Sequence, residues 1–262
     1  MTTRNAPDSG TDSQIVLTVN QNGSDRLNHT FPDTPQEDQE RGQANLYEVN
    51  VAGNNIIPED LNNSSIRIGI RGDDLWRPEH LVVWGERLSG GAIIPLVVET
   101  DLTVRLSTDA DKGNLSFPLR RVASGAADMP MRRLLMLMTT ANRADGGTNS
   151  GIELQVFSNG ALVVDFDVPD TPQDEQERGQ ANFYFVPVAV PFARDSLDNT
   201  SIRLRIKGDD AWLPGSFFLF GLDDAAGRPE ALVPLVHLRT WPHGQLSTDS
   251  GEGVSSVALA LV

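Results

Sequence analysis

The chain of 262 residues contains no cysteine, which excludes disulfide bonds, thiolate metal sites and a cysteine nucleophile. Aromatic residues make up 6% of the sequence, and 21 basic residues face 36 acidic ones, for a formal net charge of -15. That charge argues against non-specific binding to nucleic acid or to a bare anionic membrane. No apolar run approaches the roughly 20 residues of a membrane-spanning helix. We therefore predict a soluble acidic protein with no transmembrane segment and no nucleic-acid partner.

Motifs of recognised catalytic chemistry are also missing. The sequence has no G-x-S-x-G elbow, phosphate-binding loop or dinucleotide fingerprint. Its four histidines share no metal-ligand spacing. The first ten residues are polar and lack the basic and apolar regions of a secretory signal peptide, so no signal peptide is visible. We predict that the chain is not an enzyme, and the sequence does not indicate a compartment.

The sequence does contain an internal repeat, with two copies of one module in tandem. Residues 31–51 match residues 168–188 at an offset of 137, with 15 of 21 positions identical. The match continues upstream, where Met1 aligns with Met138, and downstream, where SIRIGIRGDDLW aligns with SIRLRIKGDDAW. We predict two tandem domains, residues 1–122 and residues 131–262, joined by a linker at residues 123–130.

Apolar residues alternate with polar ones in several short runs of the first copy. Each run is bounded by glycine, proline, asparagine or aspartate, and the clearest are Ile15-Leu17-Val19, Tyr47-Val49-Val51, Ile66-Ile68-Ile70 and Leu102-Val104-Leu106. A period of two is typical of β-strands, and many short strands at this spacing favour a β-sandwich. The predicted fold class is therefore all-β, as two tandem antiparallel β-sandwiches.

The two copies differ at their start. The second copy opens with the apolar segment RRLLMLMTT at residues 132–140, which predicts a strand, whereas the first copy has no equivalent of residues 132–137. A sheet edge that is open and apolar invites strand addition. We predict completion of the first copy by its own linker at residues 123–130, by a neighbouring molecule in a homodimer, or by upstream residues. A shorter edge left open in a monomer is the alternative.

Four sequence elements follow one another in the same order in both copies. In the first copy they are Gly10-Thr11-Asp12, Glu40-Arg41-Gly42, Tyr47, and an I-x-I strand that leads to an acidic tip and Trp76. In the second copy they are Gly147-Thr148-Asn149, Glu177-Arg178-Gly179, Tyr184, and the segment from Ile202 to Trp212. This order resembles the PLAT (lipoxygenase homology) domain, the β-sandwich attached to lipoxygenases and pancreatic-type lipases. A carbohydrate-binding or fibronectin-like sandwich is the alternative.

The resemblance implies an eight-stranded antiparallel sandwich that acts as a non-catalytic targeting module, often with calcium. Calcium takes six to eight oxygen ligands, which loops at one end of a sandwich can supply. The positions that match calcium ligands in the family are Asp12, Asp38 and Glu40 in the first copy, and Asn149, Glu175 and Glu177 in the second. Asn149 removes one charge, so we expect weaker calcium binding in the second copy. Solvated loop acids in a generally acidic protein are the alternative interpretation.

Three tryptophans are candidates for a surface contact. Trp76 and Trp212 each follow a Gly-Asp-Asp tip, and PLAT members that insert into membranes do so with loop tryptophans. For these two residues the favoured interpretation is that they cover the end of the core, because an aromatic side chain near a strand start usually packs. Trp241 has no counterpart in the first copy and is the better candidate for a surface contact.

The sequence thus predicts a non-catalytic binding or targeting module, assisted by calcium, for a lipid surface or a protein partner. A structural or assembly protein with no metal dependence is the alternative from a different class. A glycan-binding sandwich is a third hypothesis. The presence of only two tyrosines weakens it, because sugar-binding platforms use exposed aromatic rings.

Overall fold

The computed structural model describes residues 1–32, 39–87, 91–169, 176–225, 227 and 229–262. The chain divides into two compact units, Met1–Ala123 and Ser124–Val262. Regular structure in the described residues consists of β-strands and two short 3-10 turns, Pro58–Asp60 and Arg194–Ser196. The strand pairs with a described register are antiparallel, which confirms the all-β sandwich class. Within these same ranges no helix is long and apolar enough to cross a membrane.

The first unit is built from short strands in chain order. They are β1 (Thr2–Thr3), β2 (Gln14–Gln21), β3 (Ser24–Thr30), β4 (Ile66–Arg71), β5 (Leu75–Trp76), β6 (Pro78–Glu86), β7 (Ile93–Glu99), β8 (Leu106–Ser107) and β9 (Ser116–Leu119). One sheet has the order β3-β2-β4-β9 and another the order β1-β6-β7, with β5 and β8 forming a separate pair. Alternate side chains of β2, β4, β6 and β7 share one buried core, as the period-two pattern predicts.

The second unit has longer strands in a similar arrangement. They are β10 (Ala123–Ser124), which spans the unit boundary, β11 (Met131–Thr140), β12 (Ile152–Ser158), β13 (Ala161–Asp167), β14 (Ala181–Phe192), β15 (Ile202–Ile206), β16 (Pro214–Asp223), β17 (Ala231–Leu238) and β18 (Ser256–Leu259). The sheet orders are β13-β12-β15-β18 and β10-β17-β16-β11-β14. The predicted opening strand is confirmed as β11, which lies inside the five-stranded sheet.

Two runs predicted as strands differ in the structure. Residues 47–51 form no strand, although the equivalent residues of the second unit lie in β14. The difference lies in the partner strand: β14 pairs with β11, whereas among the described residues of the first unit only the two-residue β1 lies in that place. In the run from Leu102 to Leu106, only its last residue enters a strand, β8. Leu102 and Leu106 are nevertheless both buried, so the alternation there reports burial rather than pairing.

The segment predicted as a linker carries strand and core contacts. Ser124 lies in β10, which is placed beside β17, and the Gly125 N–H donates to the Leu232 carbonyl at 3.0 Å. Met129 packs against the core of the second unit. Residues 124–130 therefore extend the second unit's sheet and core.

Candidate functional site

The loop that carries Asp12 is tied to the acidic tip that follows β4. The Asp12 N–H donates to Asp74 Oδ2 at 3.3 Å, and the Asp74 N–H donates to Ser13 Oγ at 3.1 Å. Within the loop, the Ser13 N–H donates to Thr11 Oγ1 at 3.0 Å. Two segments that lie about 60 residues apart in the sequence are thus cross-linked in both directions at one end of the sandwich.

The loop that carries Glu40 is positioned by its neighbour Gln39. Gln39 adopts a left-handed backbone with φ of 62°, and its buried side-chain amide donates to the Tyr47 hydroxyl. The backbone carbonyl of Gln39 accepts a hydrogen bond from Thr3 Oγ1 at 3.0 Å. These bonds bring the loop against Gly10, where an added Cβ would lie 3.0 Å from Glu40 Oε2. Glycine at position 10 thus allows the two loops to approach closely, since a side chain there would press against Glu40.

Together these loops enclose an open cleft of about 360 Å³. Its lining residues are Asp8, Ser9, Gly10, Thr11, Asp12, Glu40, Arg41, Asp74 and Leu75. Two of the three predicted calcium ligands of the first copy, Asp12 and Glu40, are therefore brought together, whereas Asp38 lies outside the described residues. Sequence reasoning missed Asp74 as a member of this site. The repeated Gly-Asp-Asp tip was the available signal.

The described part of the cleft does not by itself fit a calcium ion. No group of three or more His, Asp or Glu side chains in the described ranges is arranged to hold a metal. One carboxylate oxygen of Asp74 already accepts the Asp12 N–H, and Arg41 places a cation in the same cleft.

The second unit repeats the loop framework around Asp210. The Asn149 N–H donates to Asp210 Oδ2 at 2.7 Å, and the Ser150 N–H donates to Thr148 Oγ1 at 3.0 Å. Thr148 Oγ1 also donates to the Asp210 carbonyl at 2.8 Å. Asn149 thus stands where Asp12 stands in the first unit, with an amide in place of a carboxylate.

The neighbouring loop of the second unit is also built in the same way. Gln176 has a φ of 61°, and its side-chain amide donates to the Tyr184 hydroxyl at 3.1 Å. Glu177 follows it directly, whereas Glu175 lies outside the described residues. Gln39 and Gln176 therefore perform the same positioning role, which sequence reasoning missed, although both lie in the longest identical stretch of the repeat.

The three tryptophans predicted for a surface contact are all buried. Trp76 and Trp212 are 0% exposed, and their indole N–H groups donate to the Oγ1 atoms of Thr3 and Thr140 at 2.9 and 3.0 Å. Trp241 is 8% exposed and donates to the Gly244 carbonyl at 2.7 Å. Each ring packs in the interior with its polar atom satisfied. The surface contact predicted for Trp241 is therefore wrong, whereas the burial of Trp76 and Trp212 agrees with their favoured interpretation, packing at the end of the core.

A buried carboxylate in the second unit was not predicted. Glu153 on β12 lies 2.6 Å from Arg205 Nη1 and 2.7 Å from Lys207 Nζ, and Lys207 also contacts Asp167. The hydrogen bond to Asp167, followed by the one to Glu153, raises the pKa of Lys207. Val16 occupies the corresponding position in the first unit. The signal available in the sequence was the replacement of an apolar residue by an acidic one at equivalent positions of the two copies.

The fold and the cleft define an all-β sandwich protein with related loop sites in its two units. No family model matches the chain, and no curated protein matches it. Among solved structures, the chain is similar to the alpha toxin from Clostridium absonum, with 14% sequence identity and a TM-score of 0.39. That similarity covers 51% of this chain and 32% of the toxin chain.

Proposed function

We propose that the chain is a non-catalytic binding module made of two PLAT-type sandwiches, which attaches to a lipid surface or to a protein partner. The observation that carries the proposal is the repeated end-loop framework, in which Asp74 and Asp210 each accept a hydrogen bond from the backbone of the loop before β2 or β12. Binding sites concentrate on loops that a rigid scaffold holds in place. Here each of the two units holds an equivalent pair of loops in place.

Calcium assistance is the second part of the proposal. Asp8, Asp12, Glu40 and Asp74 line one cleft of the first unit, and calcium is bound through such oxygen groups, although no three acidic side chains of the described residues are grouped as a metal site. Asp38 is the residue from which we expect the additional carboxylate. A calcium ion at this end would also give the acidic protein an attachment point for an anionic lipid headgroup.

A structural or assembly role without metal dependence is the second candidate function. It is favoured by the burial of Trp76, Trp212 and Trp241, which removes the aromatic side chains that would enter a membrane. Arg41 in the cleft also offsets part of its negative charge. The two candidates differ in a measurable property, the response of the full chain to calcium.

We predict that calcium binds the first unit more tightly than the second, because Asp12 contributes a carboxylate where Asn149 contributes an amide. Calorimetric titration of the full chain with calcium chloride should show a tighter and a weaker site. Asp12→Asn should weaken the tighter site toward the level of the other, and Asn149→Asp should strengthen the weaker one. At a hundredfold excess over the dissociation constant, binding should stabilise the fold by about 2.7 kcal/mol.

Sedimentation with vesicles of phosphatidylserine and phosphatidylcholine tests the lipid part of the proposal. The chain should sediment with vesicles in calcium and remain in the supernatant with chelator. A melting temperature that is indifferent to millimolar calcium and to chelator would remove the metal. Absence of vesicle binding under both conditions would favour the protein partner or the structural role.

A further inference from the structure

The cleft of the first unit contains a buried hydroxyl group without a hydrogen-bond partner. Ser9 lines the cleft and is fully buried, and its Oγ atom is unpaired. Its backbone is fixed, because the Ser9 carbonyl accepts the N–H of Arg77, next to β6, at 3.1 Å. Buried polar side-chain atoms are nearly always hydrogen-bonded. An unpaired hydroxyl in the wall of a cleft therefore indicates a ligand group that completes the hydrogen bond.

Most of the carboxylates in the same cleft are unpaired as well. Both side-chain oxygens of Asp74 are engaged, since they accept the backbone N–H groups of Asp12 and Leu75. By contrast, no donor or cation in the described part of the chain pairs with the side chains of Asp8, Asp12 or Glu40. Four carboxylates and one guanidinium line the cleft, so three negative charges remain uncompensated. The cleft is therefore complementary to a positively charged group that donates hydrogen bonds.

The size of the cleft favours an organic cation. Its volume of about 360 Å³ is roughly twelve times the share of one water molecule in the liquid. No three acidic side chains of the described residues are grouped as they would be around one metal ion. A guanidinium group presents five N–H donors in a rigid planar fork, so it can bond several separate acceptors at once. Three free carboxylates and one free hydroxyl are acceptors of this kind.

The second unit lacks two of these four groups. By the repeat, Gly146 corresponds to Ser9 and Asn149 corresponds to Asp12. The loop framework is otherwise alike, since the Asn149 N–H donates to Asp210 as the Asp12 N–H donates to Asp74. The hydroxyl and one carboxylate are thus specific to the first unit.

We propose that the cleft of the first unit binds the guanidinium group of an arginine side chain on a protein partner. The carboxylates of Asp8, Asp12 and Glu40 accept its N–H groups, and Ser9 Oγ accepts another. The inference rests on the proposed function, because it names the chemical group by which that function would recognise a protein partner. It does not require calcium, so the two can be tested separately.

The probe is the peptide acetyl-Gly-Arg-Gly-amide, titrated into the isotope-labelled full chain at low ionic strength with chelator present. Backbone amide signals of Gly10, Asp12 and Glu40 should shift and saturate, whereas those of Gly147 and Glu177 should not. A peptide with citrulline in place of arginine keeps the shape without the charge and should bind roughly tenfold more weakly. A lysine peptide keeps the charge without the planar fork and should bind roughly threefold more weakly. Equal binding of the arginine peptide and either control would overturn the inference.

Two variants and a control locate the site on the protein. Ser9→Ala should weaken binding of the arginine peptide roughly threefold without lowering the melting temperature, because the lost hydroxyl has no partner in the free chain. Asp12→Asn should weaken binding by a similar factor. Asp165→Asn removes the same charge from β13 of the second unit and should leave binding unchanged. Equal weakening by Asp12→Asn and Asp165→Asn would overturn the inference, as would a Ser9→Ala variant that is less stable but binds normally.

Failure of this inference and failure of the proposed function give different results. If calcium and vesicles bind but the arginine peptide does not, the inference alone is overturned. If the arginine peptide binds in chelator and the chain is indifferent to calcium and vesicles, the inference stands. The calcium and lipid parts of the proposed function would then be removed, and the protein partner would remain.

Discussion

Gly72 shows how one residue holds the acidic end of the first unit together. Its backbone has a φ of 133°, and a Cβ added to it would lie 2.3 Å from Ser13 Oγ. That hydroxyl accepts the N–H of Asp74, a residue of the cleft. A side chain at position 72 would therefore displace the group that fixes Asp74.

We predict that Gly72→Ala lowers the free energy of unfolding of the first unit by roughly 2–4 kcal/mol, through backbone strain and overpacking against Ser13. The measurement is urea denaturation of the full chain. Gly53→Ala is the matched control: its φ is 86°, but nothing lies within 4 Å of the added Cβ, so we expect only about 1 kcal/mol. Equal losses in the two variants would show that the contact with Ser13 contributes nothing.

At the scale of single strands, the two copies carry different kinds of side chain at one equivalent buried position. β12 carries Glu153 where β2 carries Val16, although both strands lie next to the first edge strand of their sheet. Glu153 is buried, and its carboxylate is bound by Arg205 and Lys207, which lie on or directly after β15. A buried charge is tolerated only when it is paired and hydrogen-bonded. The buried charge of Glu153 is therefore stabilised by the two basic side chains of Arg205 and Lys207.

We predict that Glu153→Gln destabilises the second unit by about 1–3 kcal/mol, because hydrogen bonds to a charged group are lost. Asp167→Asn is the matched control, since Asp167 is 71% exposed and its ion pair with Lys207 is expected to contribute less than about 1 kcal/mol. Thermal denaturation of both variants measures the difference. A larger loss from Asp167→Asn would contradict the assignment of Glu153 as the centre of the cluster.

The pKa of Lys207 adds a test of the same cluster by pH. Because its folded pKa is raised above the ordinary value of 10.5, the contribution of Lys207 to stability is complete below that pH. It is lost as the pH rises through the folded pKa. The penalty of Glu153→Gln should therefore shrink above pH 10.5, while the part due to Arg205 remains, because arginine stays charged.

Strands whose partners are encoded in the same copy were predictable from the sequence, and strands whose partners are absent were not. The alternation at Ile66-Ile68-Ile70 became β4, because β2 and β9 flank it. The same alternation at residues 47–51 did not become a strand, because a pattern of side chains cannot supply a missing neighbour. The sequence also did not decide whether the side chain of Trp76 is buried or exposed, because core packing and membrane insertion both use an aromatic residue beside a turn.

The candidate site was predictable in part for a similar reason. Asp12 and Glu40 became candidates because the resemblance to the PLAT domain points to the loops that carry them. Asp74 was missed, because a Gly-Asp-Asp tip is sufficiently explained as a turn. The contact between this tip and the loop of Asp12 is visible only in the fold, because a single sequence does not reveal which residues about 60 positions apart lie close together.

At the scale of the whole molecule, the repeat has produced two units with cores of different size. Among the described residues, the core of the second unit contains 23 buried apolar side chains, from Met131 to Leu259, and that of the first contains 13, from Ile15 to Leu119. Much of the difference follows from β11 and the strands beside it. Burial of apolar surface is the main favourable contribution to folding.

We predict that the first unit opens before the second as denaturant is added. Each additional buried apolar side chain contributes on the order of 1.5–3 kcal/mol before entropy is subtracted, so the second unit should retain its structure longer. Hydrogen exchange at increasing urea should show β4 of the first unit losing protection at a lower concentration than β15 of the second, because core strands report the global opening of their own unit. These strands are matched, since both lie between the equivalent neighbours, β2 and β9 or β12 and β18. Earlier exchange of β15 would contradict the ranking.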